Sequence, residues 1–291
     1  MEKYPIKTIT LQDKAYPSLL KEIYHPPKIL YYRGKLDEPG QYILSVVGTR
    51  KPSAYGQRVT RDLVQTIASR NILIVSGLAF GIDALAHAAA IEAGGKTWAI
   101  LGSGLDQIYP ATNRFLAEKI LETGGALISD YPAGTPPLKQ HFPARNRIIA
   151  GLSKGTLIVE APDKSGALIT ANFALEDNRE VLSVPGEIFN QNAVGTNRLI
   201  KQGARPVVDA ADILEIFDLE IVPKGGRESI FQPQTQEEKI IVEVLQAGPQ
   251  TVDQILEKCK LEISIINSTL SVLEMSGKII QTEMQTYALN L

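Results

Sequence analysis

The chain has 291 residues, 44% hydrophobic and 21% charged, the composition of an ordinary soluble protein with enough apolar material for a sizeable core. A formal net charge of −2 gives no overall attraction to polyanions, so any nucleic-acid surface must come from local clustering of basic residues. The single cysteine, Cys259, excludes an intramolecular disulfide and a cysteine-rich zinc site, and its neighbours Ile255, Leu256 and Leu261 predict a half-buried helix position. The start, Met1-Glu2-Lys3-Tyr4-Pro5, lacks the apolar run of a signal peptide, and no stretch approaches the ~18 to 20 apolar residues that span a bilayer. The expected location is the cytoplasm, with no membrane partner.

Residues 1–40 carry Pro5, Pro17, Pro26, Pro27 and Pro39, which predicts an extended N-terminal extension packed on the next domain. A mobile tail is the alternative, and the apolar content of Leu19, Leu20, Ile23, Ile29, Leu30 and Leu36 argues against it. Over 41–217 short apolar runs alternate with helical patterns. The expected strands are Ile43 to Val47, Ile72 to Ser76, Thr97 to Leu101, Ala126 to Ser129, Gly155 to Glu160, Val181 to Val184 and Pro206 to Val208. The expected helices are Tyr55 to Ser69, Gly81 to Ala93, Asn113 to Thr123, Arg145 to Ser153, Leu168 to Asp177 and Asn197 to Gln202. Continuous rather than alternating apolar runs, each followed by a helix, predict an α/β fold: a Rossmann-like, doubly wound, mostly parallel sheet. Residues 218–236 read as a linker. Residues 237–291 hold three short helical patterns and a hairpin after Gly277, which predicts a small winged-helix domain.

In an open α/β sheet ligands bind beyond the carboxyl ends of the strands, so the loops there carry the chemistry. The first loop runs Gly48-Thr49-Arg50-Lys51-Pro52-Ser53. With no acid between Glu38 and Asp62, and with Arg58 and Arg61 beyond, it reads either as an anion seat at a helix start or as a solvated basic turn. The second holds Ser76 and Gly77 ahead of Asp83 and His87, which lie four apart on one helical face. First-turn stabilisation by Asp83, with His87 bonded to it, is favoured over a catalytic pair. The third, Gly102-Ser103-Gly104 with Tyr109, is not a GxGxxG fingerprint, and no dinucleotide cofactor is expected. The fourth, Pro136 to Arg147, has no acid between Asp130 and Glu160. It carries Lys139, Phe142, Arg145, Asn146 and Arg147, cations to track phosphates around an aromatic face on which a base can stack. A core phenylalanine beside a solvated basic face is the alternative. In the fifth, Ser165-Gly166 forms another anion seat or a plain N-cap. The scattered His25, His87 and His141 give no metal cluster and no catalytic triad.

Several of these runs, in this order, resemble the DNA-processing protein A (DprA/Smf) family: Val47-Gly48-Thr49-Arg50, Ser76 to Asp83 with His87, His141 to Leu152, Ser165 to Thr170, and Pro185-Gly186. The resemblance implies a protein that binds single-stranded DNA through a Rossmann-like domain, protects incoming strands and helps load the RecA recombinase in transformation or recombination, without catalysis. It implies DNA contacts at Arg50, Lys139 and Phe142, and a homodimer formed through the late part of the core. Many family members begin with a helical SAM-like domain, whereas this chain starts almost directly at Tyr16-Pro17-Ser18-Leu19-Leu20, so that domain's functions are not expected. The rival reading is a nucleotide-binding or nucleotide-hydrolysing enzyme of a related, lysine-decarboxylase-like fold. Those enzymes carry a Pro-Gly-Gly-x-Gly-Thr-x-x-Glu loop where this chain reads Asp163 to Thr170. From Gln236 onward eight acids face four lysines, and the expected recognition helix from Ile263 has no cation. A duplex-binding role for the winged helix is therefore disfavoured over a protein-contact one.

Overall fold

The computed structural model describes residues 3–36, 42–219, 235–245, 248–259, 261–276, 278–283 and 286–289. The chain divides into two compact units, Met1–Ile221 and Val222–Leu291. Most of the expected linker, and Gly277 of the expected hairpin, lie outside the described residues.

Among the described residues the first unit has nine strands: β1 (Lys7–Thr10), β2 (Ile29–Gly34), β3 (Ile43–Val47), β4 (Leu73–Ser76), β5 (Thr97–Ile100), β6 (Ala126–Ser129), β7 (Gly155–Ile158), β8 (Glu180–Ser183) and β9 (Arg205–Pro206). Its helices are α1 (Ser18–Lys21), α2 (Ala54–Ala68), α3 (Ile82–Glu92), α4 (Arg114–Glu122), α5 (His141–Gly151), α6 (Gly166–Glu176), α7 (Val194–Lys201) and α8 (Ala210–Leu214). The strand order is β1-β2-β6-β5-β4-β3-β7-β8-β9, parallel from β6 to β9. Alternate residues of the same strands feed two cores. Val47, Leu73, Val75 and Ile158 pack with Ile148 and Ile149 of α5 and Ala171 of α6. Leu44, Val46, Ile74 and Leu157 pack with Val64 and Ile67 of α2 and Ala86 and Ala90 of α3. Covering both faces removes any need for polar alternation, which is why β4 to β7 read as mostly apolar runs without alternation.

Two expectations change here. The N-terminal extension contributes strands and not only an arm: β1 pairs antiparallel with β2, and β2 antiparallel with β6, so it prolongs the sheet at one edge. Pro17, Pro26 and Pro27 fall between these strands, where no ladder hydrogen bond is lost. Tyr16, Leu20, Ile23 and Leu30 are buried in the core beside α5, and the Tyr16 hydroxyl donates to the Pro27 carbonyl at 2.8 Å. Second, α5 begins at His141 and not at Arg145. Pro143 sits in its first turn, where the missing N–H has no intrahelical partner to lose.

The second unit contains α9 (Gln236–Leu245), β10 (Gln250–Thr251), α10 (Val252–Cys259), α11 (Ile263–Met275), β11 (Ile279–Glu283) and β12 (Thr286–Leu289). Its sheet order is β10-β12-β11, with both pairings antiparallel. Ile241, Leu245, Ile255, Ile266 and Leu270 form its core, and Cys259 is buried among them, its thiol pushed up by burial.

If residues 11–28 are part of the core, Leu20→Ala will cost ~2 to 5 kcal/mol in urea unfolding, because Leu20 is fully enclosed. A change below ~0.5 kcal/mol would mean that the segment is a detachable tail.

Candidate nucleic-acid interface

From β3 the chain moves outward through β4 and β5 to β6, then returns to the other side of β3 for β7, β8 and β9. At such a reversal the loops leaving neighbouring strands run in opposite directions and leave a crevice. Here a cleft of about 730 Å³ opens beyond the carboxyl ends of β3 and β7. It gathers Gly48, Thr49, Arg50 and Lys51 from the first loop, Lys139, Phe142, Arg145 and Asn146 from the fourth, and Ser165 and Gly166 from the fifth.

The first loop is clamped from two sides. The Thr49 amide donates to the Glu160 carbonyl at 2.7 Å, and the Thr49 carbonyl accepts from the Ile82 amide at 3.2 Å. A side chain on Gly48 would meet Ile82 Cγ1 at 2.6 Å, so the close approach requires glycine. With the backbone fixed, Arg50 and Lys51 are exposed.

Starting α5 at His141 puts Phe142, Arg145, Asn146 and Ile149 on one helical face toward the cleft. The Phe142 ring packs beside Tyr109, with centroids 5.4 Å apart and planes tilted by 42°. Tyr109 is 48% exposed, so the pair offers an accessible aromatic surface. Asn146 Nδ2 donates to the Gly166 carbonyl at 3.3 Å and ties α5 to the start of α6. The Ser165 hydroxyl accepts from the Ala167 amide at 3.3 Å, so it caps α6. The amides of that first turn face the cleft end, where a helix favours an anion.

Three expected contacts lie off the cleft, and a fourth lines it but is buried. Ser76 is buried and its hydroxyl donates to the Val46 carbonyl, while the Gly77 amide donates to Asp83 Oδ2 at 3.1 Å. Neither lines the cleft. Arg147 pairs with Asp130 at 2.7 Å and donates to the His25 carbonyl, away from it. Arg145 does line the cleft but is 4% exposed. Its Nη1 donates to the Gly77 carbonyl at 2.8 Å and also to the Ile100 carbonyl, joining the ends of β4 and β5. Burial pulls the Arg145 guanidinium down to about 10, a loss that neighbouring Asp83 partly offsets. Burial raises the Asp83 carboxyl, against the pull of Arg145. The two form a buried polar layer within the floor.

His87 does not bond Asp83. Its Nδ1 lies 2.7 Å from Thr97 Oγ1, and the Thr97 hydroxyl donates to the Ile74 carbonyl, so the imidazole carries its proton on Nδ1. Complete burial lowers it to about 3, and it stays neutral.

The cleft also uses residues that sequence reasoning did not select. Tyr109 and Lys164 stand in loops already singled out, and Lys164 could have been chosen as an exposed cation next to Ser165. Asn192 donates to the Lys51 carbonyl at 3.1 Å, and Glu160 closes the site from below; neither has a signal of its own in the sequence. Arg50, Lys51, Lys139 and Lys164 are exposed, while Asp83, the acid among the described lining residues, is buried.

Residues 7–218 match the family described as DNA recombination-mediator protein A, and residues 230–283 match the DprA winged helix domain. The chain is 41% identical over 275 residues to protein Smf of Escherichia coli (strain K12), covering 92% of this chain and 74% of that one. It is 46% identical over 212 residues to the DNA processing protein DprA of Bacillus subtilis (strain 168), covering 72% and 71%. Among solved structures it resembles DprA of Streptococcus pneumoniae, with a TM-score of 0.68, 42% identity and 74% of each chain covered. It also resembles DprA of Helicobacter pylori, a structure described for its single-stranded DNA binding mode, with a TM-score of 0.65, 27% identity, and 74% and 96% covered.

If Arg145 is an internal strut, Arg145→Met will cost ~1 to 3 kcal/mol of unfolding free energy by removing the donor to the buried Gly77 and Ile100 carbonyls. Arg50→Met will stay within ~0.5 kcal/mol of wild type. A stable Arg145→Met protein that has lost only ligand affinity would make Arg145 a surface contact instead.

Proposed function

As the chain belongs to the DNA recombination-mediator protein A (DprA/Smf) family, we propose that it binds single-stranded DNA in the cleft between β3 and β7, protects exposed strands and helps load the RecA recombinase. One observation carries the DNA reading: Arg50, Lys51, Lys139 and Lys164 converge in one crevice around the Tyr109–Phe142 ring pair. Cations along a strand neutralise phosphates and release counterions, which supplies most of the affinity and makes it salt-dependent. An aromatic surface stacks any base and does not discriminate sequence. In a duplex the base faces are already stacked on each other, so the ring pair favours a single strand. The relative from Helicobacter pylori is described as binding single-stranded DNA, which supports the same reading.

The DNA-binding domain in this reading is 41–217 with 1–40 built onto its edge. The proposed homodimer forms through the late part of that domain, where Ile188, Phe189 and Val194 expose apolar side chains that a second copy would cover. The winged helix, residues 237–291, is read as a protein-contact module, since α11 exposes Ile263, Ile265 and Val272 and carries no cation. The protein acts as a cytoplasmic binding factor and not as a catalyst. Asp83, which lines the cleft, and His87, one turn further along α3, are both buried and bonded inward.

Titration with a short oligothymidylate at several salt concentrations tests this. Phe142→Ala will weaken binding roughly 5- to 100-fold with the salt slope unchanged, the signature of lost stacking. Arg50→Ala and Lys139→Ala will each reduce the slope by about 0.7. Wild-type affinity in all three variants would refute the assignment.

A further inference from the structure

A second groove, of about 580 Å³, opens beside the cleft at the starts of α2 and α3. Its walls include Arg50, Lys51, Pro52, Gln57, Phe80 and Leu85. Arg50 and Lys51 line both concavities, so they form the ridge between them. Phe80 stands on the far side with 46% of its surface exposed.

That exposure belongs to a backbone fixed from several directions. Gly81, with φ +77°, lies so close to the first loop that a side chain there would meet the Thr49 carbonyl oxygen at 2.3 Å and Arg50 Cα at 2.8 Å. The Ile82 amide bonds the Thr49 carbonyl, and Asn113 Nδ2 donates to the Leu78 carbonyl at 2.9 Å. A large ring is thus presented to solvent at a held position, next to two exposed cations, and ordering it on a ligand costs little. The groove's charge has one sign: the first turn of α2 has no acid, and Asp83, in the first turn of α3, is buried beneath. Arg58 and Arg61 are exposed further along α2. This is the same equipment as the cleft, an aromatic face flanked by cations, continuous with it across a shared ridge.

We propose that the strand held in the cleft continues over the Arg50–Lys51 ridge into this groove, where a further base stacks on Phe80. The inference rests on the cleft binding single-stranded DNA and extends that site by one subsite. The phosphates on the ridge then meet Arg50 and Lys51 from both sides, and Pro52 and Leu85 give the base an apolar floor.

A ladder of oligothymidylates differing by one nucleotide, titrated against the full chain, tests the extension. Wild-type affinity will rise by a further step once the strand is long enough to leave the cleft. Phe80→Ala will abolish that step, a loss of roughly 5- to 100-fold for long strands, and leave short strands at wild-type affinity. Phe80→Trp will be quenched by long strands and not by short ones, and the chain's own Trp98, a residue of β5, is buried and will not respond. Wild-type affinity of Phe80→Ala at every length, with no quenching of Phe80→Trp, overturns the subsite. Equal weakening of short and long strands also overturns it, since Phe80 would then act on the cleft itself. Failure of the wild-type chain to bind any strand is a different result: it removes the cleft reading, and this subsite with it.

Discussion

Glu160, just beyond the end of β7, joins the parts of the cleft that the strand order brings together. Its carboxylate is 2% exposed and accepts from the Ser53 amide at 2.9 Å, from the Ser53 hydroxyl and from Asn192 Nδ2 at 3.4 Å. Its own carbonyl accepts from the Thr49 amide at 2.7 Å. A buried carboxylate without such partners would cost several kcal/mol, so the loops that satisfy it are held where it needs them. The loop after β3, the start of α2 and the turn at 191–193 are thereby fixed to β7 through one residue. The negative charge points inward to hydroxyl and amide donors, and Arg50 and Lys51 remain facing the solvent.

The same division runs through the rest of the site. An inner layer of buried ionisable groups, Glu160, Arg145 and Asp83, fixes backbone at the ends of β3, β4, β5 and β7. An outer layer of exposed cations and two rings is left to meet a ligand. Rigid support under adaptable contacts suits a partner that brings regular phosphates and variable bases, because the protein orders few groups of its own on binding.

Much of this was legible in the sequence. Unbroken apolar runs announced a two-sided parallel sheet, and acid-free windows marked the loops of Arg50 and Phe142. The proposed ligand was not in those windows, which fit any polyanion; single-stranded DNA is what the family resemblance implies. Arg145 and Arg147 show where local reading stops. Two residues apart in one basic run, they differ because the helix begins at His141. One guanidinium then turns beneath the sheet ends and the other toward Asp130. Pro143 hid that start, since proline reads as a break although it is tolerated in a first turn. Ser76 and Gly77 lie off the cleft for a related reason: a glycine after a strand signals close approach, and here Asp83 approaches. Strands β1 and β2 escaped because the prolines between them dominate the composition of the segment.

The proposed DNA site is the cleft at the β3–β7 reversal. Backbone amide hydrogen exchange of the full chain, with and without a saturating thymidine oligonucleotide, tests that most directly. DNA in the cleft will slow exchange at 48–51, 140–146 and 164–167. Protection confined to 237–291, with those three segments unchanged, would contradict it.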